Sequence, residues 1–162
     1  MIDVYQPFRL RGNGGVELDG LTMICGKLIG KGIDREVYEY IPDPENQVIK
    51  VETGMGNFQN VVEMLTWHAT LDNGPQAKSM QKYLAKVFQI SMYGVWLRME
   101  RTHKPPPNFK WPAKMPAFLT DFKRDNFGLT SDGRLVCHDY GTNLCIPRQV
   151  AGRAMHKADW WD

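Results

Sequence analysis

Hydrophobic and polar positions change their spacing along this chain, and the changes divide it into elements. Leu21 to Ile29 reads Leu-Thr-Met-Ile-Cys-Gly-Lys-Leu-Ile, a strand candidate. Glu36 to Ile41 alternates, with Val37, Glu39 and Ile41 set against Tyr38 and Tyr40. Gln47 to Glu52 is a third strand, around Val48, Ile49 and Val51. Gly30-Lys31-Gly32 and Pro42-Asp43-Pro44-Glu45-Asn46 are turns by composition. Three strands joined by short turns predict an antiparallel meander. Residues 1–21, polar and Gly-rich after Phe8, are expected to form an irregular lead-in.

The period then becomes helical. Phe58, Val61, Val62, Leu65 and Ala69 predict a helix from roughly Phe58 to Leu71, stopped near Asn73-Gly74-Pro75. A short helical stretch from Gln76 to about Lys82 follows. Leu84 to Met92 and Val95 to Glu100 read as two more strands around Tyr93-Gly94. Residues 22–100 therefore predict an α+β unit, a five-stranded antiparallel sheet with one main helix. Residues 103–116 are Pro-rich and predict an extended spacer, with a peptide ligand for another domain as the sharper alternative. Phe127 to Leu129 and Leu135 to His138 flank Thr130-Ser131-Asp132-Gly133, a hairpin signal.

Composition narrows the class. The 162 residues suit one compact domain, and 43% hydrophobic residues are enough for a core. A net charge of +2 argues neither for nor against nucleic acid. Charge is uneven, however. Arg98, Arg101, Lys104, Lys110, Lys114, Lys123 and Arg124 outnumber Glu100 and Asp121 between residues 98 and 124. That excess could meet phosphates or an acidic partner, or be a solvated surface. Three cysteines, Cys25, Cys137 and Cys145, suit a reducing cytoplasm better than a disulfide framework. Cys137, His138 and Cys145 could be imagined as zinc ligands, but no paired C-x-x-C accompanies them. No signal-peptide pattern opens the sequence, and no apolar run approaches the ~20 residues of a membrane span.

Several residues carry chemistry. Gly30-x-Gly32 between two strands could let backbone amides approach phosphate, or be an ordinary turn. Lys50 lies inside Val48-Ile49-Lys50-Val51; in a central strand it needs a carboxylate or phosphate partner, and on an edge strand it would sit in solvent. Glu63 lies one step from the apolar stripe of the following helix, where it could reach Lys50 or be exposed. The strongest local signal is Asp121-Phe122-Lys123-Arg124-Asp125-Asn126, followed by Asp139-Tyr140-Gly141. Phosphoryl transfer needs a carboxylate near the attacking hydroxyl, a cation on the moving phosphate and oxygen ligands for Mg²⁺. Asp121, Lys123, Asn126 and Asp139 supply those types in that order.

On these residues the chain resembles the eukaryotic-type Ser/Thr protein kinase family, reduced to its nucleotide-binding part. Gly30-Lys31-Gly32-Ile33-Asp34-Arg35-Glu36-Val37 resembles the Gly-rich loop, with Arg35 in place of the third glycine. Val48-Ile49-Lys50 resembles V-A-I-K, and Glu63 falls near the place of the paired helix glutamate. Met99-Glu100-Arg101 resembles the hinge that grips adenine through its backbone. Leu119 to Asn126 is similar to H-R-D-L-K-P-E-N, and Asp139-Tyr140-Gly141 to D-F-G. The resemblance implies that Gly30, Gly32, Val37, Lys50 and the hinge bind ATP. It implies that Asp121 and Lys123 act in transfer with the Lys50–Glu63 pair, and that Asn126 and Asp139 hold Mg²⁺.

The departures imply a kinase-like N-terminal lobe over residues 22–102 and a strongly truncated C-terminal lobe over 103–162. His and Arg of H-R-D are Leu119 and Thr120, and no A-P-E stands between Gly141 and residue 162. Such compactness suggests a small genome such as a bacteriophage's, and then a host cytoplasm. Two functions stay open: a minimal ATP- and Mg²⁺-dependent Ser/Thr kinase, and a pseudokinase-like module that regulates a partner protein. A nucleic-acid binder using residues 98–124 has no recognised motif behind it. Phe109, Trp111, Met115, Phe118, Ile146, Trp160 and Trp161 are expected to pack the two segments 103–120 and 142–162 together or to form an interface, a homodimer included.

Overall fold

The computed structural model describes residues 15–53, 58–72, 74–121, 123–142 and 155–158. The elements in chain order are α1 (Gly15–Ile24), β1 (Cys25–Lys31), β2 (Arg35–Tyr40), β3 (Gln47–Glu52), α2 (Gln59–Asp72), α3 (Gly74–Lys78), β4 (Val87–Ile90), β5 (Trp96–Glu100), β6 (Lys114–Pro116), β7 (Phe127–Leu129), β8 (Leu135–Cys137) and β9 (Met155–Lys157). Short 3₁₀ turns occupy Gln81–Tyr83 and Arg124–Asn126. The fold is α+β. Its centre is a five-stranded antiparallel sheet in the order β1-β2-β3-β5-β4.

The central strand β3 explains why four successive residues, Val48 to Val51, are all buried. Opposite residues of an antiparallel pair share a face, and successive ones alternate. Ile49 and Val51 therefore pack with Leu21 of α1 and with Tyr38, Tyr40 and Trp96 on one face. Val48 and Lys50 turn to the other face with Val37, Leu97 and Met99, toward α2 and the second half of the chain. That second core continues through Leu84, Ala85, Met115, Phe118, Leu119, Phe127, Val136 and Tyr140. Fully burying one such Leu or Met contributes roughly 1.5–3 kcal/mol.

The hairpin β7–β8 closes this core from below. Gly133 takes φ 81° in its turn, where a Cβ would be strained. Backbone bonds tie the hairpin to the preceding part of the chain at two places. Ala85 donates its amide to the Cys137 carbonyl at 2.8 Å, and His103 and Leu129 exchange two backbone bonds at 2.8 Å each. The expected packing of the segment after residue 103 on a later one is present in part: β6 pairs antiparallel with β9, with Met115 buried beneath. Ile146, Trp160 and Trp161 lie outside the described residues, as do Cys145, Phe122 and residues 1–14 of the lead-in.

Three expectations need correction. Residues 15–24 form α1, so the lead-in is not irregular there and Leu21 to Ile24 is helix rather than strand. A short segment such as Leu-Thr-Met-Ile does not distinguish the two, and the helix wins by laying Leu21 onto Ile49 and Val51. The stretch Gln76 to Lys82 is split, with α3 opening at Gly74, φ 82°, and a 3₁₀ turn following. The largest correction concerns α2. Its expected apolar stripe is split: Phe58 and Leu65 are exposed, Val61 and Val62 half-buried and Ala69 buried, while Asn60, Glu63, Thr66, Trp67 and Thr70 are buried as well. The inward face thus mixes Trp67 and Ala69 with polar residues that find partners there. Asn60 Nδ2 donates to the Gly94 carbonyl at 3.0 Å, and Glu63 meets charged groups of the sheet.

Candidate active site

The sheet, α2 and the hairpin converge on four charged side chains. Lys50 projects from β3 and Glu63 from α2; Lys50 Nζ donates to Glu63 Oε1 at 2.9 Å and Oε2 at 3.1 Å. Both side chains are 5% exposed or less. Lys50 also donates to the His138 carbonyl. Arg35, at the first position of β2, is buried on the same sheet face. Its Nη1 lies 3.0 Å from Glu63 Oε2, and its Nη2 pairs with Asp139 Oδ1. The Nη1 contact is an ion pair whose alignment falls short of a hydrogen bond.

Local structure fixes each member. Glu52 Oε1 accepts the Asn60 amide at 2.6 Å, which anchors the first turn of α2 to the end of β3. Glu63 Oε1 accepts the Tyr140 amide at 3.2 Å, and Tyr140 Oη donates to the Ala85 carbonyl at 2.8 Å from a fully buried ring. Gly141 passes so close to α2 that a Cβ there would lie 2.7 Å from Gln59 Cβ and 3.0 Å from its backbone. The Asn126 carbonyl accepts the amides of His138, at 2.8 Å, and Asp139, at 3.4 Å. The loop 121–126 and the Asp139-Tyr140-Gly141 segment are thereby held side by side.

Electrostatics follow from burial and neighbours. Burial and the adjacent Arg35 push the Lys50 pKa down, and Glu63 and Asp139 only partly offset them. Burial works against the Asp139 carboxylate, but Lys50 and Arg35 overcome it and hold the pKa below its ordinary value. Burial likewise opposes the Arg35 charge, and Glu63 and Asp139 more than compensate. Desolvation, then Lys50, lowers His138 to about 4. Its ring is therefore neutral near pH 7. Nε2, 3.0 Å from the Asp125 carbonyl, must carry the proton, so Nδ1 accepts from Thr102 Oγ1 at 2.8 Å.

The other expected residues are placed as follows. Asp121 is partly exposed with Lys123 Nζ 3.3 Å from its Oδ1, and its carbonyl accepts Asn126 Nδ2 at 2.9 Å. Gly30 faces Val37 across the β1–β2 pair. The Gly32 amide donates to the Arg35 carbonyl at 2.8 Å, so it is engaged within its own turn. At Met99-Glu100-Arg101 the amide of Glu100 donates to Lys86 and that of Arg101 to Asn46, at 2.8 and 2.7 Å. These two amides are part of the fold and are not open to adenine. The side chains are clamps: Glu100 pairs with Arg134 at 3.0 Å and Arg101 with Glu39 at 3.3 Å.

A divalent ion is a poor fit to Asn126 and Asp139 in this arrangement. Mg²⁺ is usually held by one or two carboxylates plus substrate phosphates. Here Asp139 Oδ1 is paired with Arg35, which sets a fixed positive charge against the ion; Asn126, whose Nδ2 donates to the Asp121 carbonyl, keeps its Oδ1 as a possible ligand. Cys145 of the imagined zinc set lies outside the described residues; Cys137 is buried with its thiol against the Asp139 carbonyl, and no group of three or more His, Cys, Asp or Glu among the described residues could hold a metal.

Arg35 is the residue that sequence reasoning missed as a partner. Strand parity held the signal, since Arg35 and Val37 share a face and Val37 sits opposite Lys50. The basic excess of residues 98–124 divides in two. Arg98 stacks on Tyr40 and Arg101 is ion-paired, whereas Lys104, Lys110, Lys114, Lys123 and Arg124 are exposed. No helix among the described residues is long and apolar enough to cross a membrane. No protein-family model matches the chain, and no curated protein matches it.

Proposed function

We propose that the chain is a protein-kinase-like nucleotide-binding protein that transfers the γ-phosphoryl group of ATP to a Ser or Thr hydroxyl. The observation that carries this reading is the buried Lys50–Glu63 pair, bonded to the Tyr140 amide and the His138 carbonyl. A buried ion pair is weak support for stability, because apolar residues of similar volume often serve as well. Retaining one beside a second buried cation points to a charged ligand. An arriving phosphate would also relieve the depressed basicity of Lys50.

In this reading Lys50, 4% exposed and bonded to Glu63, holds the ATP phosphates. Asp121 takes the proton of the attacking hydroxyl as the oxygen–phosphorus bond forms. The bond from the γ-phosphorus to the bridging oxygen breaks, and ADP leaves with that electron pair. Lys123, 3.3 Å from Asp121, lies beside the developing charge. Each of these roles falls to a residue of this chain.

A second reading is favoured by one contact. Arg35 on Asp139 occupies the carboxylate that transfer chemistry would use, which suits a pseudokinase-like module that binds nucleotide and regulates a partner. Calorimetric titration with ATP, followed by incubation of the same sample with γ-labelled ATP and Ser/Thr-containing protein, separates the two. Binding with label transfer supports the kinase, binding without transfer supports the module, and no binding refutes both.

A further inference from the structure

Arg35 stands where its residue type is least expected, 6% exposed between two carboxylates. Guanidinium stays charged at any working pH and binds phosphate through paired N–H donors. Its burial requires counter-charges, and it has two: Nη1 lies 3.0 Å from Glu63 Oε2, outside hydrogen-bond alignment, and Nη2 pairs with Asp139 Oδ1. Lys50 lies on the same sheet face and shares Glu63 with it. Two cations thus flank one carboxylate, and the second carboxylate, Asp139, is partly open to solvent.

We infer that Arg35 is a built-in cation that takes the place of a divalent metal, so that the cleft binds nucleotide phosphates on Arg35 and Lys50 without Mg²⁺. The inference rests on the nucleotide-binding reading above and deepens it. A divalent ion at Asp139 would have to displace the guanidinium or sit against a fixed positive charge. A phosphate oxygen is instead attracted by the guanidinium and replaces the Asp139 carboxylate as its partner. The ligand class is a metal-free nucleoside di- or triphosphate.

The test is calorimetric titration of the full chain with ATP and with ADP, once in EDTA and once in excess Mg²⁺, for wild type, Arg35→Ala and Arg35→Lys. The expected result is wild-type affinity in EDTA within about threefold of that in Mg²⁺, with Arg35→Ala at least about tenfold weaker in EDTA and Arg35→Lys between them. Circular dichroism melts show whether each variant is folded. If Arg35→Ala fails to fold, the wild-type comparison alone still decides. Wild-type binding that appears only with Mg²⁺ overturns the inference and leaves the nucleotide reading standing. No binding under either condition overturns both.

Discussion

Lys50 on β3 and Glu63 on α2 form an ion pair from which water is almost wholly excluded, at 2.9 Å, and Arg35 leans on the same carboxylate at 3.0 Å. Removing Glu63 would leave two buried cations facing each other. Glu63→Ala is expected to cost about 3–5 kcal/mol, as breaking a buried pair typically does. Lys50→Met should cost less, because Arg35 remains to neutralise Glu63. Urea unfolding of the two variants checks the order; equal losses would show that Arg35 does not share the carboxylate.

Close approach of backbone predicts a contrast between glycines. Gly141→Ala places a Cβ 2.7 Å from Gln59 Cβ and 3.0 Å from its backbone, so α2 must move off the Asp139-Tyr140-Gly141 segment. A loss of about 1–3 kcal/mol is expected, with disturbance of the Lys50–Glu63 pair. Gly30→Ala meets Val37 at an ordinary 3.6 Å and should stay within about 0.5 kcal/mol of wild type. Thermal melts of both variants measure the difference, and equal destabilisation would contradict it.

The β1–β2–β3 meander, the two later strands and the β7–β8 hairpin were legible because β-branched and aromatic runs are bounded there by turn residues. Helix α2 was legible as a helix but not in orientation. Periodicity counts apolar residues, and this helix turns Asn60 and Glu63 inward because the sheet offers them carbonyls and charges, while Thr70 donates to the Trp67 carbonyl of the helix itself. Lys50 and Glu63 could be nominated from sequence; their contact needed the three-dimensional register. Arg35 read as a lost glycine because its partners, Glu63 and Asp139, are remote in the chain.

Acid should weaken the fold before it reaches ordinary carboxylates. The His138 pKa is about 4 in the folded chain against an ordinary 6.5, so between those values the unfolded chain binds more protons. The stability from neutral His138 is complete above pH 6.5 and is lost as pH falls toward 4, a loss of roughly 1–3 kcal/mol. Asp139, depressed as well, adds to the loss below its ordinary value. Denaturant midpoints at pH 7, 5.5 and 4.5 test this. His138→Gln should flatten the slope between pH 6.5 and 4, and an unchanged slope would assign it elsewhere.

Nucleotide binding that depends on Lys50 is the claim on which the rest stands. The direct measurement is the thermal shift of wild type and Lys50→Met with ATP in the millimolar range, in EDTA and in Mg²⁺. Wild type at ~100 times its dissociation constant should gain roughly 2.7 kcal/mol and melt several degrees higher. Lys50→Met, folded by circular dichroism, should show little or no shift. A wild-type protein with no shift in either buffer, or a Lys50→Met variant that shifts as far as wild type, would contradict the account.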